Sequence, residues 1–139
     1  MQQLRDVMSQ DVKILNPDAT LKDAARQMRD GNFGLMPVGE NDRLVGTLSD
    51  RDIVIRAVAE GRDANTRVRD VMSDQVVWAY ENDSVDKASQ IMSEHQIRRL
   101  PIVNSDKRLV GIVSLGDLAA DAGNIRPAGE ALSDISKPG

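Results

Sequence analysis

A serine and an aspartate recur at the same spacing in two stretches, GTLSDRD at residues 46–52 and GIVSLGD at residues 111–117. Both follow an apolar run and precede a predicted helix. A hydroxyl can donate a hydrogen bond to a ligand, and an ionised carboxylate can accept hydrogen bonds from ligand hydroxyls. The same two residue types also cap helices by bonding the first free backbone amides. The Gly-x-x-Ser-x-x-Asp pattern therefore predicts a ligand site or a helix cap, and the two roles are compatible.

The two stretches belong to a duplication that covers most of the chain. RDVMS occurs at residues 5–9 and again at 69–73, and matching residues continue at an offset of 64 and later 65. Each copy predicts a short strand, a helix, two strands and a second helix, with Thr20 and Ser84 as the caps of the first helix. The predicted domains are residues 1–62, residues 63–121 and a tail at 122–139.

The composition is that of an ordinary globular protein. The chain has 139 residues, of which 40% are apolar and 29% charged, and it has no cysteine, which excludes disulfides and thiolate chemistry. A net charge of −4 and only three aromatic residues argue against nucleic acid as a partner. No apolar run reaches the length of a membrane span or resembles a signal peptide, so we expect a cytoplasmic protein with no membrane partner.

Catalytic signatures are absent from the sequence. His95 is the single histidine, and no carboxylate cluster surrounds it in the sequence, which makes a metal site or a Ser-His-Asp triad a poor prediction. GTLSDRD lacks the lysine and the glycine spacing of a phosphate-binding P-loop. We therefore predict no catalytic residue, no metal site and no enzyme activity.

Taken together, these motifs resemble a tandem pair of CBS domains, the Bateman module, over residues 1 to about 121. The stretch LSDRDIVIRAVAEGRD is similar to that of small stand-alone bacterial CBS-pair proteins. The resemblance implies a mixed α/β (α+β) fold in which two β-α-β-β-α repeats pack with pseudo-twofold symmetry, with ligand clefts between them. It also implies a homodimer. Because the chain leaves no room for an attached enzyme or channel, we expect any effector to be a separate protein.

The resemblance also implies a ligand and its contacts. Family members bind adenosine-containing molecules such as AMP, ADP, ATP, NAD or S-adenosylmethionine as regulatory ligands, and no cofactor is required. Ser49 and Ser114 stand where the family contacts ligand phosphate. Asp52 and Asp117 stand where it holds ribose hydroxyls, and the backbone at Thr47 could line the same cleft.

The two copies differ in charge just before their Leu-Pro and Met-Pro strands. The second copy has Arg98 and Arg99 where the first has Gly34 and Leu35. Related nucleotide-sensing pairs contact phosphates from these positions. Successive strand residues face opposite sides, so at most one arginine can point into a given cleft unless the backbone bends. We expect unequal clefts, the arginine-bearing one suiting a charged ligand, although both arginines could equally be solvated surface charges.

An adenine ring would need an apolar slot, for which the chain offers mainly aliphatic side chains. The candidates, which also fit a core role, are Val12, Ile14, Leu35, Met36 and Pro37 in the first copy and Val76, Val77, Leu100 and Pro101 in the second. An alternative function is a ligand-independent homodimeric scaffold for protein interactions, because Gly34 and Leu35 supply no phosphate contact.

Overall fold

A computed structural model of the chain describes residues 2–120, which form two compact units. The first-repeat unit is Lys13–Val76. The second-repeat unit comprises Met1–Val12 and Val77–Gly139, of which residues 2–12 and 77–120 are described. The predicted tail at 122–139 lies outside the described residues. The compact units divide the chain differently from the sequence repeats, because residues 2–12 belong to the unit that contains the second repeat.

The first-repeat unit is built around a helix and a hairpin. Its elements are α1 (Leu21–Gly31), the antiparallel strands β1 (Leu35–Glu40) and β2 (Arg43–Ser49), and α2, which is α-helical over Asp50–Asp52 and π-helical over Ile53–Val58. A 3-10 turn at Val68–Asp70 follows. The hairpin therefore leads directly from Ser49 into α2.

The second-repeat unit repeats this order with one more strand. Its elements are a 3-10 turn at Leu4–Asp6, β3 (Ala79–Tyr80), α3 (Val85–His95), β4 (Arg99–Val103), β5 (Leu109–Ser114) and α4 (Leu115–Ala120). Strand β4 lies between β3, which is parallel to it, and β5, which is antiparallel.

The predicted element order is confirmed except at the first strand of the first copy. There the extended stretch at 12–15 makes a single bridge, in which the Leu15 amide donates to Pro37 O at 2.9 Å and the Gly39 amide donates to Leu15 O at 3.0 Å. Leu15 is buried whereas Ile14 is 39% exposed. One buried side chain fixes the segment here, and no continuous ladder forms.

Both predicted helix caps are present. The Thr20 hydroxyl accepts from the Asp23 amide at 3.2 Å, and the Ser84 hydroxyl accepts from the Lys87 amide at 3.1 Å. Both helices end at a residue in the left-handed region, Asn32 with φ 55° and Gln96 with φ 54°. The caps satisfy backbone groups that would otherwise lack a partner at the helix ends, so sequence fixes where α1 and α3 begin.

Each unit has its own apolar core. In the first-repeat unit, α1 packs its buried stripe against the hairpin, and the buried cluster is Leu15, Leu21, Ala24, Met28, Met36, Val38, Leu48, Ala57, Val68 and Val71. In the second-repeat unit, the cluster is Leu4, Ala79, Val85, Ala88, Met92, Leu100, Ile102, Val113 and Leu118. Among residues 2–120, no helix combines the length and the apolar character needed to cross a bilayer.

Each RDVMS segment lies along the strand that carries a Gly-x-x-Ser-x-x-Asp motif. Ser73 exchanges two backbone hydrogen bonds with Thr47, at 2.9 and 2.8 Å, and Ser9 does the same with Ile112, at 2.9 and 3.0 Å. The glycine of each motif sits under this contact. A Cβ at Gly46 would lie 2.8 Å from both Met72 Sδ and Ser73 O. The motif glycine is therefore required by the close approach of a neighbouring backbone.

We predict that Gly46→Ala lowers the free energy of unfolding by about 1–3 kcal/mol, because the added methyl must displace the Ser73 backbone. Gly116→Ala is the matched control, since its Cβ would meet nothing closer than 3.5 Å and lies in α4. That control should be neutral or stabilising by about 0.5–1 kcal/mol. Urea unfolding of the two variants measures both; equal effects would contradict the assigned role of Gly46.

Candidate functional site

The serine and aspartate of each motif bond to each other's backbone. In the first-repeat unit the Ser49 amide donates to Asp52 Oδ2 at 2.9 Å, and the Asp52 amide donates to Ser49 Oγ at 3.0 Å. In the second-repeat unit the Ser114 amide donates to Asp117 Oδ2 at 2.9 Å, and the Asp117 amide donates to Ser114 Oγ at 3.0 Å. Both motifs are therefore reciprocal capping boxes.

A backbone hydrogen bond connects each box to the residue just before the first strand of its hairpin, β1 or β4. The Asp50 amide donates to Gly34 O at 2.8 Å, and the Leu115 amide donates to Arg98 O at 3.0 Å. Across the ladders, Leu35 pairs with Ser49 and Arg99 pairs with Ser114. The fold thus gathers the predicted polar residues of each copy at one end of its hairpin.

Capping leaves chemistry available on these side chains. The serine hydroxyl uses a lone pair to cap and retains a donor proton. The aspartate uses Oδ2 to cap, and a carboxylate has further acceptor capacity on Oδ1. In the first-repeat unit, Arg56 Nε lies 4.0 Å from Asp52 Oδ1, and its guanidinium also donates to Met72 O at 3.2 Å. The boxes hold these four side chains in place by their own hydrogen bonds.

The two arginines of the second copy differ in burial. Arg98 is exposed and precedes β4, whereas Arg99 begins β4 and is half-buried. Burial lowers the pKa of Arg99 below its ordinary range, and the Asp117 carboxylate acts in the opposite direction. Arg99 pairs with Ser114 across the ladder, and Ser114 in turn caps α4, which carries Asp117.

The predicted apolar site residues fall into three groups. Met36, Pro37, Leu100 and Pro101 are buried, and Met36 and Leu100 are fully inside the cores. Ile14 is exposed. The half-buried ones are Val12, Leu35, Val76 and Val77, and Thr47 is half-buried at the pairing with Ser73. Leu35, opposite Ser49, is the apolar residue placed nearest to a box along the strand register.

One charged residue beside the first box did not emerge from the sequence motif. The exposed Asp50 carboxylate lies against Gly34, where a Cβ would come within 3.0 Å of Asp50 Oδ2. The signal was present in the duplication, since Asp50 aligns with Leu115 at the offset of 65. The motif was defined by the Ser and Asp that the two copies share. Asp50 is not part of it, because the other copy has a leucine at this position.

No metal site is formed by the residues that the structure describes. Between residues 2 and 120, no group of three or more His, Cys, Asp or Glu side chains lies close enough to hold an ion, and His95 is exposed at the end of α3.

Comparison with known proteins identifies a family. The chain matches the CBS domain over residues 4–58 and again over 68–122. It is 46% identical over 136 residues to the CBS domain-containing protein YhcV of Bacillus subtilis, covering 98% of this chain and 96% of that protein.

Solved structures agree with this match. The chain superimposes on Hypoxic Response Protein I, solved with two coordinated zinc ions, with a TM-score of 0.77 and 40% identity, covering 86% of this chain and 98% of that one. It also has the fold of CBS domain protein PAE2072 from Pyrobaculum aerophilum, complexed with AMP, with a TM-score of 0.80 and 24% identity over 92% of this chain and 98% of that one.

We predict that Ser114→Ala lowers the free energy of unfolding of the unliganded protein by about 1 kcal/mol, because the Asp117 amide loses its acceptor. Ser105→Ala, in an exposed turn, is the matched control and should change it by less than about 0.5 kcal/mol. Urea unfolding compares the two. If Ser114→Ala were as mild as its control, the capping box would contribute no stability.

Proposed function

The chain belongs to the CBS domain family, and from this membership we propose that it is a non-catalytic regulatory protein of the cytoplasm that binds an adenosine-containing ligand and signals to a separate partner. The ligand candidates are AMP, ADP, ATP, NAD and S-adenosylmethionine. In this proposal each Ser-Asp box is the core of a ligand site.

The observation that carries the proposal is the pair of identical boxes with their side chains already fixed. Holding Ser114 and Asp117 through backbone hydrogen bonds reduces the side-chain entropy that a ligand must remove on binding. Asp117 can then accept from ribose hydroxyls through Oδ1 while Oδ2 maintains the cap. Ser49 and Asp52 offer the same arrangement in the first-repeat unit.

Arg99 supports a phosphate-bearing ligand in the second-repeat unit. Its half-buried guanidinium is a permanent cation, and Arg99 pairs with Ser114 of the box across the ladder. A charge-assisted hydrogen bond from arginine to phosphate would compensate part of the desolvation. The AMP complex of the Pyrobaculum protein makes AMP the first ligand to test, although at 24% identity that likeness establishes the fold alone.

Signalling would follow from differential affinity. A ligand shifts an equilibrium between two arrangements of the protein only by the difference in its affinity for them. The partner would read the arrangement that the ligand favours. No catalytic step is needed for this role.

We predict that AMP or another adenosyl ligand raises the melting temperature, with about 2.7 kcal/mol of stabilisation at a concentration 100 times the dissociation constant. Asp117→Asn keeps one oxygen for the Ser114 amide but removes the charge, so it should weaken binding with little loss of intrinsic stability. Asp117→Ala should lower both the ligand affinity and the intrinsic stability. A thermal-shift titration of each variant, with and without ligand, separates the two effects.

No shift with any of the five ligands would overturn the adenosyl assignment and favour the scaffold alternative. One observation already favours a protein contact: Val54, Ile55 and Val58 are 55%, 52% and 65% exposed on the π-helical segment. We propose that a second copy of the chain covers this face in a homodimer, as CBS-pair membership suggests. Beside it, Ile53, Ala57 and Val58 line a small apolar cavity with Leu21 and Ala25.

We predict that Val58→Asp shifts the protein from dimer to monomer at micromolar concentration, because a carboxylate cannot be desolvated in an apolar interface without a partner. Gln27→Asp, which adds the same charge at an exposed position of α1, is the control and should leave the mass unchanged. Light scattering after size-exclusion chromatography measures both. A dimer that survives Val58→Asp would place the interface elsewhere.

A further inference from the structure

We propose that the two units prefer ligands of different charge, and that Asp50 makes the first-repeat unit favour an adenosyl ligand without phosphate, whether neutral or positively charged, over one that carries phosphate. The second-repeat unit, with Arg98 and Arg99, takes the phosphate-bearing ligand. This inference rests on the proposed function, because it specifies which ligand each Ser-Asp box accepts.

The backbone next to the Ser-Asp box follows the same course in the two units, so residues at equivalent positions correspond. In each unit, the amide of the residue after the box serine donates to the carbonyl of the residue just before the first hairpin strand. The Asp50 amide donates to Gly34 O at 2.8 Å, and the Leu115 amide donates to Arg98 O at 3.0 Å. Gly34 therefore corresponds to Arg98, and Asp50 corresponds to Leu115. The second-repeat unit has Arg98 beside the apolar Leu115. At the equivalent positions the first-repeat unit has Gly34 beside the carboxylate of Asp50.

The Asp50 carboxylate is held at this spot. Its Oδ1 accepts from the Arg51 amide at 2.8 Å, and its Oδ2 faces Gly34, close enough that a Cβ there would be 3.0 Å away. Gly34 is the position equivalent to Arg98, and it has no side chain. The Asp50 carboxylate therefore lies directly beside the backbone at the position where the other unit carries an arginine side chain. A side chain at position 34 would require this exposed carboxylate to shift by a few tenths of an ångström.

The charges around the two boxes are reversed over the matched positions. The second-repeat unit has two arginines and one carboxylate, Arg98, Arg99 and Asp117, with apolar Leu115 and Gly116 beside them. The first-repeat unit has two carboxylates and one arginine, Asp50, Asp52 and Arg51, with Gly34 and Leu35 beside them. Arg56 lies outside these matched positions, and its Nε is 4.0 Å from Asp52 Oδ1, where it partly offsets the negative charge of Asp52.

Electrostatics decides the sign of the effect and keeps its size modest. Asp50 is exposed, so its repulsion of a phosphate is attenuated by water and corresponds to about a threefold to tenfold change in affinity. Added salt screens attraction and repulsion alike. Salt should therefore weaken AMP binding at the second-repeat unit and leave unchanged or strengthen it at the first-repeat unit.

The test is isothermal titration calorimetry of the full chain with AMP, adenosine and S-adenosylmethionine at low and high salt. We expect AMP to fill one site per chain tightly and a second one weakly. After saturation of the tight site with AMP, S-adenosylmethionine should still bind. Asp50→Asn should strengthen the weak AMP site about threefold to tenfold and weaken S-adenosylmethionine there. Asp50→Leu, which copies Leu115, should act in the same direction.

Asp30→Asn is the matched control, because it removes the same charge from an exposed position on α1 of the same unit. Equal AMP affinity at both wild-type sites, or an Asp50→Asn effect no larger than that of Asp30→Asn, would overturn the charge selection and leave the proposed function standing. Absence of binding by all three ligands would overturn the charge selection, and absence of binding by ADP, ATP and NAD as well would also overturn the proposed function.

Discussion

The reciprocal bond between serine and aspartate is the constraint on which each hairpin end depends. It joins the end of a strand to the start of a helix within four residues. Its two hydrogen bonds, both donated by backbone amides, hold the serine and aspartate side chains in place. The next amide reaches back to the start of the partner strand, so strand, turn and helix are held by one connected set of hydrogen bonds. A polar group placed in this way can cap a helix and still present an acceptor to a ligand. In the proposed function, stability and ligand binding would therefore depend on the same two side chains.

The glycine that opens each motif serves a different neighbour. Gly46 and Gly111 allow the Met-Ser end of an RDVMS segment to lie against the strand, with paired backbone bonds to Thr47 and Ile112. The spacing of the motif thus reflects two contacts, one in the middle of the strand at the glycine and one at its end at the serine. A substitution at the glycine is expected to act on folding, whereas one at the aspartate acts on both folding and binding.

Sequence reasoning predicted the features that depend on local chemistry. The caps at Thr20 and Ser84 and the order of helices and strands follow from residue type and spacing, and they are present. Which RDVMS segment packs with which strand could not be predicted, because the two copies are identical in these five residues and the pairing is long-range. The π-helical turn was also missed: the Ala59 amide bonds to Val54 O at 2.9 Å, five residues back, and apolar periodicity does not separate this pattern from an α-helix. The proposed role of Asp50 rests on a difference between the copies, and a search for shared motifs does not detect such differences.

The direct test of the account is a titration of AMP into isotopically labelled protein, followed by the backbone amide resonances in NMR spectra. The amides of Ser114 and Asp117 should shift at low AMP concentration and those of Ser49 and Asp52 only at higher concentration, because the boxes are alike and their surrounding charges differ. Shifts at both boxes with the same midpoint would contradict the assigned difference between the units. Shifts at neither box would show that the boxes cap helices and bind no AMP.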